Sequence, residues 1–111
     1  MIDDPNEVGA LVEALEAALP FPAVIERDML RTLRAQTPPV PARADSTVTE
    51  VHYAGDEGGI VCRLAPCEDG NAIVISLTYL RIPARLPMAA AADRYRKRRI
   101  KRIRRQGLTM A

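Results

Sequence analysis

Apolar side chains return every three or four positions through the first third of the chain, then every second position after a proline-rich break. Val8, Leu11, Val12, Leu15 and Leu19 form one stripe at helical spacing. The residues ahead of it, Asp4-Pro5-Asn6-Glu7, suit a helix start. Asp4 can cap free amides, Pro5 fits the first turn, and Glu7 stands where a capping-box acid belongs. Pro20 and Pro22 end this helix, and a second is predicted over residues 22–36. Ile25, Met29, Leu30 and Leu33 form its buried arc, with Arg27, Arg31 and Arg34 aligned on the opposite side.

Residues 37–45 (TPPVPARAD) hold three prolines and no helical period, so they read as an extended connector. Alternation begins at Thr47. Thr49, Val51 and Tyr53 point one way, and Val48, Glu50 and His52 point the other. A glycine-rich turn at 55–59 precedes Ile60, Cys62 and Leu64. A four-residue loop there pairs Tyr53 with Ile60, Val51 with Cys62 and Thr49 with Leu64, and sets Glu50 opposite Arg63. The Asp69-Gly70 pair marks a second hairpin turn, leading to a long strand over 72–82 with Ile73, Ile75, Leu77 and Tyr79 toward the core.

The predicted architecture is therefore α+β: two N-terminal helices, a three-stranded antiparallel meander and a basic C-terminal helix. The two N-terminal helices would cover the sheet. The apolar strand 72–82 would lie at an edge, where it invites pairing with a second copy. The core is small and rich in Ala, with one Phe, three Tyr and no Trp among 111 residues, so self-association would add buried area. A homodimer is the expectation.

The last helix is predicted from about Met88, after Pro83 and Pro87. Met88, Ala92, Tyr95, Ile100 and Ile103 share a broad arc, but Arg96 and Arg99 lie inside it. The docking face is thus imperfect, and the helix is expected to project beyond about Arg98. Charge sharpens this picture. Nine of the thirteen residues 94–106 (RYRKRRIKRIRRQ) are Lys or Arg, and none is acidic. Residues 1–93 carry seven basic and fourteen acidic groups, so the formal charge of +2 conceals an anionic domain, 1–93, and a cationic arm, 94–111.

Arg94, Arg96, Lys97, Arg98, Arg99, Lys101, Arg102, Arg104 and Arg105 are the candidate binding residues, with Arg27, Arg31 and Arg34 as an accessory stripe. Seven of the nine are arginines, whose planar fork suits phosphate. The leading expectation is a small non-enzymatic protein that holds the phosphate backbone of DNA or RNA through this arm. The alternative is a dimeric interaction or adaptor module whose arm docks on an acidic protein surface. An anionic membrane surface fits less well, because Tyr95 is the only bulky apolar anchor.

Signals for catalysis are weak. His52 is the only histidine, and Glu50, His52, Arg63, Ser76 and Thr78 would decorate an open sheet face rather than a cleft. The acidic loop 55–59 would repel phosphate and is too short to wrap a cation. Cys62 and Cys67 stand five residues apart, about 16 Å if extended, too far for a local disulfide. No catalytic residue, metal ligand or cofactor is predicted. No apolar stretch approaches the ~20 residues of a membrane span, and the acidic N-terminus lacks the pattern of a secretory signal, so a cytoplasmic location is expected.

Overall fold

The computed structural model describes residues 3–105. Helix α1 (Pro5–Ala18) starts at the cap expected of it: the Asp4 carboxylate accepts hydrogen bonds from the amides of Asn6 and Glu7. Its Val8, Leu11 and Leu15 are buried. The next segment departs from expectation. Phe21–Ile25 forms strand β1, and helix α2 is confined to Arg27–Arg34. Burial in β1 follows period two, with Phe21, Ala23 and Ile25 inside and Pro22 and Val24 between them. Pro22 is tolerated because strand β5 reaches only Val24 and Ile25 of β1. A missing N–H at Pro22 on that side breaks no ladder bond.

Strands β2 (Asp45–Tyr53), β3 (Ile60–Leu64), β4 (Val74–Ser76) and β5 (Leu80–Arg81) complete one antiparallel sheet in the order β4-β3-β2-β1-β5. The three-stranded meander predicted from the sequence is thus incorrect. The sheet has five strands and curls into a half-barrel. Within the first hairpin Tyr53 pairs with Ile60, Val51 with Cys62, His52 with Val61, and Glu50 with Arg63. The expected Thr49–Leu64 pair fails at a bulge: Val48 takes Leu64 as partner, and the Thr49 hydroxyl donates to the Arg63 carbonyl instead.

The strand expected over 72–82 is broken. Ser76 caps a 3-10 turn at Leu77–Tyr79, its hydroxyl oxygen accepting from the Thr78 amide, and β5 resumes against β1 at the far edge. This turn dictates the curvature. Across a flat sheet in this order, the four gaps between β4 and β5 would span about 19 Å at ~4.8 Å per gap. Three 3-10 residues advance only about 6 Å. The two edges can be joined so tersely only if the sheet rolls them toward each other. The long apolar edge on which pairing with a second copy was expected does not exist.

Helix α3 (Ala89–Arg105) packs on the 3-10 turn and touches α1. The buried cluster joins Leu11 and Leu15 of α1, Phe21 and Ile25 of β1, Val48, Ile60, Cys62 and Leu64 of the first hairpin, and Ala92 and Tyr95 of α3. It is α1 and α3, not the two N-terminal helices, that supply buried side chains from the helices. Helix α2 buries none completely and adds Met29, Leu30 and Leu33 at the margin. The connector 37–45 carries no regular structure before β2 begins at Asp45.

Candidate nucleic-acid interface

An α-helix turns about 100° per residue. On α3 this places Ala92, Tyr95, Arg96, Arg99, Arg102 and Ile103 within about 120° of arc. Arg94, Lys97, Arg98, Lys101, Arg104 and Arg105 fill a second arc of about 120° on the opposite side. The two arcs have different fates. The first faces the body, and the second faces out, with Arg98 at its margin reaching back to Glu7 of α1.

Arg99 is the most buried of the cations, with 4% of its surface exposed. One guanidinium nitrogen lies 2.9 Å from Asp3 Oδ2, and the other donates to the Asp56 carbonyl at 2.7 Å. Asp3 is itself 3% exposed. Its Oδ2 also accepts from the hydroxyls of Tyr53 at 3.1 Å and Tyr95 at 3.2 Å. Tyr95 in turn accepts from the Ile60 amide at 3.0 Å, which ties α3 to the start of β3. Burial raises the Tyr95 phenol to about 12, with the Asp3 charge adding to it and the Ile60 amide opposing. Asp3 Oδ1 is buried and has no partner among the described residues, a deficit that costs roughly 1–3 kcal/mol.

Gly59 makes this contact reachable. Its φ is +64°, and a Cβ there would stand 2.3 Å from Tyr95 Oη and 2.9 Å from Arg99 Cζ. Glycine is required twice over, for the left-handed backbone and for the space. The sequence pattern puts Arg96 and Arg99 inside the apolar arc, which is the one signal that acids wait for them. The acids themselves, Asp3 and Glu26, belong to distant segments, and no sequence pattern singles them out.

The other predicted residues divide as follows. Arg96 is half-buried and pairs with Glu26 at 3.5 Å and with Asp93 at 3.2 Å. Lys97 meets Asp93 at 3.0 Å but stays largely exposed, and Arg98 pairs with Glu7 of α1 while remaining partly exposed. Arg102 is half-buried and has an interaction of its own. Arg94, Lys101, Arg104 and Arg105 are exposed and form no ion pair with a described residue. The helix does not leave the body at Arg98, since Arg99 is buried and Ile100, Arg102 and Ile103 are half-covered. Residues 106–111 of the predicted arm lie outside the described residues.

The accessory stripe is more modest. Arg27, Arg31 and Arg34 are all exposed on α2, but Arg34 donates twice to the Ala42 carbonyl and so serves to fasten the connector. Arg31 lies 3.9 Å from Asp28.

The remaining polar groups among the described residues lie on open surface or make structural bonds. His52 Nε2 is 3.7 Å from Glu50 Oε2, and Arg63 Nε is 4.0 Å from the same oxygen, all three exposed on the outer sheet face. Ser76 donates to the Gly58 carbonyl, a structural bond. Both cysteines are free. Burial raises the Cys62 thiol to about 12, and it raises Cys67 too, with Asp69 and Glu68 acting the same way. Neither thiol is activated as a nucleophile. Cys67 borders an open groove with Pro41, Arg43, Thr47 and Glu68, bridged by an Arg43–Glu68 ion pair. Among the described residues no three His, Cys, Asp or Glu side chains converge to hold a metal ion, and no helix is long and apolar enough to cross a membrane. Comparison of the chain with family models, curated proteins and solved structures finds no match.

Proposed function

We propose that this is a non-enzymatic, nucleic-acid-associated protein that holds phosphate backbone along the outward arc of α3. The supporting observation is the division of one helix into a docked side and a cationic side. Arg94, Lys97, Arg98, Lys101, Arg104 and Arg105 project from a helix whose other arc is anchored by Tyr95, Arg96 and Arg99. They span about 16 Å of helix axis at 1.5 Å per residue. A docked helix presents these charges without the ordering entropy that a loose tail would lose on binding. The anionic remainder of the chain repels phosphate, so the field favours approach by α3.

This mode of binding involves no base recognition. Apart from Ala90 the outward arc holds only Arg and Lys, with no aromatic face for stacking, and its docked opposite side keeps α3 from sinking into a groove. Binding is therefore expected to be electrostatic and indifferent to sequence. Fluorescence anisotropy of a labelled duplex between 50 and 200 mM salt (roughly the range over which such contacts weaken most) tests it. With four to six phosphates neutralised, log K should fall against log salt with a slope of about −4 to −5. Absent or salt-insensitive binding contradicts the proposal. Salt-sensitive binding to polyglutamate with none to duplex would reassign the helix to an acidic protein partner.

A further inference from the structure

The geometry points to a second site, independent of the phosphate reading: Tyr53, Tyr95 and Arg99 form a receptor for a carboxylate, and Asp3 is its tethered occupant. Three donors converge on Asp3 Oδ2, at 2.9 Å from Arg99, 3.1 Å from Tyr53 and 3.2 Å from Tyr95. Two of these donors are held by groups other than Asp3. Arg99 is fixed by the Asp56 carbonyl and Tyr95 by the Ile60 amide. Gly59, with no side chain to intrude, leaves room for the cradle. Two of the three donors therefore keep a tie of their own when the occupant is removed.

The occupant is attached differently. Asp3 precedes the α1 cap at Asp4 and reaches the cradle from outside both β3 and α3. Its Oδ2 takes all three donors, while Oδ1 is buried without a partner among the described residues. A filled site that leaves half its ligand unmet holds that ligand less firmly than its donor count suggests. The guanidinium carries a single charge and the phenols are neutral donors, which matches a monoanion of carboxylate size. Its competitor would be a small free carboxylate or the acidic side chain of a peptide. Tethering gives Asp3 a high effective concentration, so weak free acids do not displace it from the intact chain.

The test uses full-length Asp3→Ala protein, melted in sodium acetate, formate or chloride at matched ionic strength. Acetate and formate should raise its melting temperature saturably, by several degrees more than chloride, while the parent chain shows no such difference. N-acetyl-aspartate amide should act like acetate, and N-acetyl-asparagine amide should not. A response to acetate alone indicates a site for small acids; a response to both acetate and the aspartate derivative extends it to acidic side chains. If Asp3→Ala does not fold in chloride, recovery of a cooperative melt in acetate carries the same meaning, and failure to recover it overturns the assignment. Equal effects of acetate and chloride, or an acetate effect that survives in Asp3→Ala/Arg99→Gln, overturn it as well.

Discussion

A guanidinium with 4% of its surface exposed requires acceptors on every side, and Arg99 finds them in Asp3 and the Asp56 carbonyl. Removing either charge of such a pair leaves the other stranded, at a cost of about 3–5 kcal/mol. Arg99→Met and Asp3→Asn should each lose stability on that scale in denaturant melts, and the double variant should lose clearly less than their sum. Strict additivity would mean the pair is not coupled. Alkaline pH probes the same region. Cys62 titrates near 9.0 when exposed and Tyr95 near 10.0, and burial raises both to about 12. The folded state holds these protons more tightly than the unfolded chain. Their contribution is complete below pH 9 and is lost as pH rises from 9 toward about 12. Denaturant melts across that window should show the fall, and Tyr95→Phe should flatten the part above pH 10, where an exposed phenol titrates. At this scale the sequence is only half legible. Arg96 and Arg99 stand out as cations on an apolar arc, but no local pattern connects residue 99 to residue 3.

Among the elements, those with a long, unbroken period are readable and the short ones are not. Helix α1 and the β2–β3 hairpin can be read with their cap and most of their register, because each is fixed by neighbours in sequence. Strand β1 is masked by a helical pattern. Its five residues, Phe21–Ile25, are too few for alternation to outweigh the helical spacing of Ile25, Met29 and Leu33 that follows. The strand expected at 72–82 is too long for the opposite reason. Its apolar alternation continues through Leu77–Tyr79, while the break is made by a single hydroxyl, that of Ser76. That hydroxyl also donates to the Gly58 carbonyl and bonds to Thr78 Oγ1. Ser76→Ala should therefore cost about 1–2 kcal/mol in thermal melts, since it uncaps the turn that brings the sheet edges together. A change within experimental error would mean that the turn is held by Leu77 and its packing alone.

Over the whole molecule, charge is arranged in layers. Acids of the body, Asp3, Glu7 and Glu26, draw in Arg99, Arg98 and Arg96 and fasten the C-terminal helix. On the other side of that helix Arg94, Lys101, Arg104 and Arg105 form no ion pair with a described residue, and these are the cations proposed to meet an external polyanion. Composition reveals the imbalance between 1–93 and the basic run, but not its division into two faces, because that depends on where the rest of the chain lies. One measurement tests the division most directly: the salt slope of duplex binding for the parent chain and for the Arg94→Gln/Lys101→Gln/Arg104→Gln/Arg105→Gln variant. The slope should fall in magnitude by about 3.6, or roughly 0.9 for each phosphate that is no longer neutralised, with the melting temperature nearly unchanged. An unaltered slope would contradict the account, as would a variant that no longer folds.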